Sequence, residues 1–153
     1  MFASGIEFHV IRDSEFPGWW AKMEAFKIPG PVLYMDLSCA IVSDLTPLLA
    51  AVEKHDFIVT RDFNPHQRLV QSCVMGWSGD MSYLYDYFVQ APGKHMAEYT
   101  TARWWGDQGF IEHNAAGWKY WQDVCPGKVV SYKKGGERPA IINYHGRPKP
   151  WEI

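Results

Sequence analysis

The amino-acid sequence predicts a single α/β domain over residues 1–153, with a mainly parallel, Rossmann-like sheet flanked by helices. Three observations lead there. Short apolar runs rich in β-branched and aromatic residues alternate with stretches of helical periodicity, each about ten residues long, as strand–helix–strand units do. A chain of 153 residues suits one core burying about 70% of its unfolded surface and is short for two. Its composition, 47% hydrophobic and 21% charged, is that of a globular protein.

Taken in order, residues 6–11 alternate in part and read as a short strand. Pro17 and Gly18 then open a helical stretch through Trp19, Trp20, Met23 and Phe26, which Pro29-Gly30-Pro31 ends. Residues 32–37 form an apolar run broken only by Asp36, the pattern of a central strand buried on both faces. A second short strand follows at 39–42. Asp44 then precedes an apolar face at helical spacing (Leu45, Leu48, Leu49, Val52), with Pro47 tolerated in the first turn. Residues 57–60 and 69–77 read as strands around a polar loop, 61–68. Asp80 caps a helix reaching Phe88, closed by residues 91–93. A helix over 106–115, a turn of helix within 118–124 and strands at 128–132 and 140–144 complete the prediction. Such sheets bind ligands at the carboxyl ends of their strands.

Several function classes are disfavoured. No run approaches the ~20 apolar residues of a membrane span, and the first ten residues lack the basic start and apolar stretch of a secretory signal. Three cysteines, Cys39, Cys73 and Cys125, cannot all pair within the chain, which favours a reducing, cytoplasmic setting. A net charge of −2 argues against nucleic acid as partner. The charge is uneven, however. Between Pro126 and Lys149 stand Lys128, Lys133, Lys134, Arg138, Arg147 and Lys149 against one acid, Glu137. This segment reads either as solvated loop charge or as a seat for a small anion.

Two constellations carry chemistry. Asp36 lies where an apolar strand emerges, and an ionised carboxylate there must meet water, a cation or a donor; a simple turn cap is the other reading. Ser38, two residues on, is a weaker ligand on the same side. Near the C-terminus, His145 ends an apolar strand, Gly146 permits close backbone approach, and Lys149 is held in a proline-stiffened loop. A cation on Asp36 and His145, beside Lys149 and Arg147, would suit a diphosphate leaving group. Mixed carboxylate and imidazole ligation suits Mn²⁺, with Mg²⁺ second. A merely rigid tail is the competing reading. Of the tryptophans, Trp19 and Trp20 read as helix packing, and Trp104, Trp105 and Trp151 as candidates for a sugar-stacking cleft. His55, His66, His95 and His113 show no metal spacing and read as surface or loop residues.

Five segments in order, Gly18-Trp19-Trp20-Ala21-Lys22, Val32-Leu33-Tyr34-Met35-Asp36-Leu37, Ser72-Cys73-Val74-Met75, Gly106-Asp107-Gln108 and His145-Gly146-Arg147-Pro148-Lys149-Pro150-Trp151, resemble those of bacterial and phage glycosyltransferases of the A-type fold, distantly glycogenin-like. The resemblance implies transfer of a hexose from a nucleotide-diphosphate sugar to a saccharide or other hydroxyl acceptor. It places Asp36 at the first aspartate of a D-x-D metal motif, with Ser38 where the second aspartate is expected. It also aligns Gly146 and Lys149 with a G-x-x-K-P-W motif whose lysine contacts the donor phosphates. Asp107 and Gln108 match a pair near the reacting sugar carbon, although Asp107 also reads as a helix cap. Asn143 stands where the family carries its metal-binding histidine, and His145 lies beside the glycine instead. Relatives begin with a β-α-β unit that this chain lacks. That implies a shortened transferase whose sheet edge is covered by a partner or a second copy, or a non-catalytic remnant that binds a saccharide or a partner.

Overall fold

The structure, a computed structural model, describes residues 5–64 and 69–153. A run of 3₁₀ turns, Gly18–Lys27, ends with Ile28 as its cap, and after Pro31 the chain enters β1 (Val32–Met35). Then follow β2 (Cys39–Ile41), α1 (Thr46–Val52), β3 (Phe57–Arg61), β4 (Val70–Trp77), α2 (Ser82–Gln90), α3 (Pro92–Glu98) and α4 (Gly106–Asn114). The C-terminal part holds β5 (Lys119–Tyr120), α5 (Trp121–Val124), β6 (Val129–Ser131), β7 (Ile141–Asn143) and a last 3₁₀ turn, Pro150–Glu152.

The α/β class stands, but one mainly parallel Rossmann-like sheet does not. There are two mixed sheets, a four-stranded one ordered β1-β4-β3-β5 and a three-stranded one ordered β2-β7-β6. β4 runs antiparallel to both β1 and β3, and among the described residues only β3–β5 and β6–β7 are parallel. The connections account for part of this: residues 62–69, which join β3 to β4, are too few for a crossover helix and return the chain antiparallel, whereas β6 and β7 run parallel across the helix-free connection 132–140.

Two apolar layers cover the larger sheet, as its period-two pattern requires. Phe57 and Val59 of β3 pack with Trp20, Met23, Phe26, Leu84, Phe88 and Phe110. Ile58, between them, faces the other side with Leu48, Val52, Trp121 and Ile141. The second layer therefore also binds the smaller sheet to the larger one.

Several local expectations are revised. Residues 6–11 form no strand. β1 is an edge strand, half-buried along its length, and the central positions belong to β4 and β3. Asp44 accepts the Thr46 N–H at 3.0 Å one residue ahead of the helix cap, and Asp80 accepts the Ser82 N–H at 2.8 Å. The helix after Asp80 does end at residues 91–93, with Ala91 as the cap of α2, but a further helix starts at once. Pro92 opens α3, because its missing N–H costs nothing in a first turn. His95 on that helix is buried among Phe88, Tyr87 and Phe110, not exposed. His66 and the second half of the predicted 61–68 loop lie outside the described residues.

Candidate functional site

The two sheets meet where β1 hands over to β2. The Asp36 N–H donates to the Cys73 carbonyl at 2.8 Å and the Tyr144 N–H to the Ser38 carbonyl at 2.9 Å, which stitches β1 to β4 and β2 to the end of β7. Because β4 runs against β1, its first residues, Gln71, Ser72 and Cys73, lie beside the end of β1. A cavity of about 210 Å³ opens at this seam. Its walls include Asp36, Ser38, Asp107, Gln108, His145, Gly146 and Lys149, all expected from the sequence, together with Lys22, Ser72, Asn143, Trp19 and Trp105. Arg147 stands apart, exposed and paired with Glu152 at 2.6 Å.

Lys22 organises one wall. Its side chain is 4% exposed, and its Nζ donates to Ser72 Oγ at 2.8 Å, to the Ser72 carbonyl at 3.3 Å and to Asp36 Oδ2 at 3.2 Å. It also lies 2.9 Å from Asp107 Oδ2 and 3.1 Å from Asp36 Oδ1. The Ser72 hydroxyl donates in turn to Asp107 Oδ2, and Tyr34 OH donates to Asp36 Oδ1 at 2.9 Å. Burial works against the Lys22 charge most strongly of all, but Asp107 and Asp36 together outweigh it and hold the ammonium pKa above its ordinary value. Burial likewise pushes Tyr34 up, which keeps its phenol protonated as a donor. A buried ammonium with two carboxylates is thus the centre of the site, and each member depends on the others for compensation.

Trp19 and Trp105 form the rim, with ring centroids 6.1 Å apart and planes inclined by 43°. Their spacing is set by Gly106, whose φ of +58° suits a residue without Cβ and whose bare Cα leaves room for the Trp19 indole. Trp19 is 52% exposed, so it serves the rim and not the helix packing expected of it. Trp20 does pack in the core. Trp104 lies under the Arg103 guanidinium at 4.1 Å, and Trp151 is exposed outside the cavity.

The opposite wall is cationic. Lys149 Nζ rests on the Tyr144 carbonyl at 3.2 Å, with no carboxylate partner among the described residues. Gly146 has φ +73°, and a Cβ there would lie 3.2 Å from Lys133 Nζ. His145 shares a 2.7 Å hydrogen bond between Nε2 and Ser131 Oγ and stacks on Phe63. Burial first, then the Lys133 charge, push its pKa below the ordinary histidine value; Asp62 opposes this more strongly than Lys134 or Lys149 singly adds to it. Between the walls, Asn143 is fully buried. Its Nδ2 donates to Gln71 Oε1 at 2.7 Å, while its Oδ1 has no hydrogen-bond partner among the described residues.

No protein-family model, curated protein or solved structure matches the chain. The functional reading therefore rests on the chemistry of this cavity. The Mn²⁺ or Mg²⁺ expected on Asp36 and His145 meets a conflict there. Both Asp36 oxygens face Lys22, His145 Nε2 is engaged by Ser131, and no group of three or more His, Cys, Asp or Glu suited to a metal exists among the described residues. Unit charges 4 Å apart repel by about 4 kcal/mol at an effective dielectric near 20, and a dication beside an ammonium by about twice that. As arranged, these residues do not fit a divalent ion.

Sequence reasoning missed Lys22 and Ser72 as site residues. For Lys22 a signal existed. It falls on the same stretch as Trp20, Met23, Ala25 and Phe26, all buried, and a lysine among core positions is rare unless paired.

Proposed function

We propose that the chain binds a nucleotide-diphosphate sugar and transfers its hexose to a saccharide or other hydroxyl acceptor. The observation that carries this reading is the convergence of Asp36, Asp107 and Gln108 with His145, Gly146 and Lys149 on one cavity, from segments more than a hundred residues apart in sequence. In the reaction the bond from the sugar C1 to the diphosphate oxygen breaks, a bond from C1 to the acceptor oxygen forms, and the acceptor hydroxyl proton is released. Negative charge grows on the departing diphosphate. Lys149 stabilises that charge, which favours the transition state over the bound donor. Asp107 and Gln108 orient the sugar hydroxyls, with Lys22 and Ser72 as positioning residues that hold Asp107 in place. The exposed rings of Trp19 and Trp105 offer apolar faces against which an acceptor pyranose stacks.

Titration with UDP-hexoses tests the reading. Saturable binding weakened by Asp36→Ala and by Lys149→Ala is expected, and binding indifferent to both substitutions would remove it. A second reading, a saccharide-binding remnant without transferase activity, is favoured by the cavity volume. About 210 Å³ is below the ~300–1,000 Å³ of ordinary small-molecule sites. A nucleotide-release assay separates the two, since a remnant releases nothing above background.

A further inference from the structure

The acidic and cationic walls of the cavity differ in one respect. The acids are compensated internally and the cations are not. Lys22 supplies the charge that Asp36 and Asp107 require, at 2.9 to 3.2 Å. On the opposite side, the cavity-lining Lys149 and, behind the lining, Lys133 have no carboxylate partner among the described residues, and Lys149 Nζ meets only a backbone carbonyl. Gly146 lines the cavity with Lys149, and its missing Cβ leaves the space beside Lys133 Nζ open. Two ammonium groups beside one bare backbone turn, neither ion-paired with a carboxylate among the described residues, call for a ligand that brings at least two negative charges. His145, beside Gly146, has its pKa lowered by burial first and then by Lys133, with Asp62 opposing and Lys134 and Lys149 adding smaller contributions.

Resting on the nucleotide-sugar reading of this cavity, we infer that the donor's diphosphate is held by Lys133 together with Lys149 at Gly146, and that no divalent ion takes part in holding it. Lys22 is the resident cation of the carboxylates, and the two outer lysines do for the phosphates what a bridging metal would otherwise do.

Calorimetric titration of the full chain with inorganic diphosphate and, separately, with UDP, both in EDTA, tests the inference alongside a spin-resonance titration with Mn²⁺ alone. Diphosphate is expected to bind in EDTA. Lys133→Met and Lys149→Met should each weaken it about tenfold, the worth of one charge-assisted hydrogen bond. Both lysines lie on surface loops, so circular dichroism should show both variants folded. Mn²⁺ alone should show no stoichiometric binding. Absence of diphosphate binding in EDTA, affinity untouched by Lys133→Met, or stoichiometric Mn²⁺ binding abolished by Asp36→Ala would each overturn the inference. If diphosphate binds and UDP does not, the anion site stands and the nucleotide-sugar reading falls.

Discussion

Replacing Lys22 by methionine keeps the stem volume and deletes the charge. The ammonium touches two carboxylates and a serine hydroxyl inside a wall where the Asp107 side chain is 7% exposed and the Asp36 side chain 29%. Breaking a buried ion pair by removing one partner costs about 3–5 kcal/mol, because the remaining charge is left without compensation. Asp36 can turn toward water and recover part of its hydration, while Asp107 cannot, so the lower end, about 3 kcal/mol, is expected. For a domain of this size that is a fall in Tm of roughly 6–12 °C. Urea unfolding followed by circular dichroism gives the number. The double variant Lys22→Met/Asp107→Asn should recover a large part of the loss, since a neutral amide still accepts the Ser72 hydroxyl. A single variant within about 1 kcal/mol of the parent, or a double variant no better than the single one, would refute the view of Lys22 as the charge on which the site is built.

Two more outcomes follow from the same geometry. His145 has its pKa lowered in the folded chain, so as pH falls below the unfolded value near 6.5 the unfolded chain takes up the proton first. The stability it contributes is present above that pH and is lost as pH falls toward the folded pKa. Melting curves from pH 7.5 to 5.5 should therefore show the parent losing more than His145→Gln, and nuclear magnetic resonance titration should show bound diphosphate raising the His145 pKa; equal losses and an unmoved titration would count against the cationic wall. Gly106→Ala forces a Cβ onto a φ of +58° beside the Trp19 indole and should cost about 1–2 kcal/mol from backbone strain alone, measured by urea unfolding, whereas a neutral result would mean the rim does not depend on that glycine.

Much of the site was legible because its residues carry their own local reasons. Asp36 interrupts an apolar run, Lys149 sits between Pro148 and Pro150, and Asp107 and Gln108 open a helix. Each of these is visible in a window of a few residues. Lys133 has no such mark, because what distinguishes it is proximity to Gly146, and that comes from β6 lying parallel to β7. The same holds for Trp19, whose neighbours suggest packing but whose ring rests over Gly106 from a distant segment.

By itself the sequence determined the order and approximate limits of most strands and helices, since apolar periodicity and turn chemistry are local properties. It also determined the separation of charge into an acidic body and a basic C-terminal stretch. The tertiary structure alone decided the strand directions, the division into two sheets, and the use of Lys22 to neutralise Asp107 and Asp36, the latter being the carboxylate that looked free to bind a metal. Direction and charge pairing depend on which segments become neighbours, and that is settled by packing two apolar layers on one sheet, not by any stretch of chain read alone.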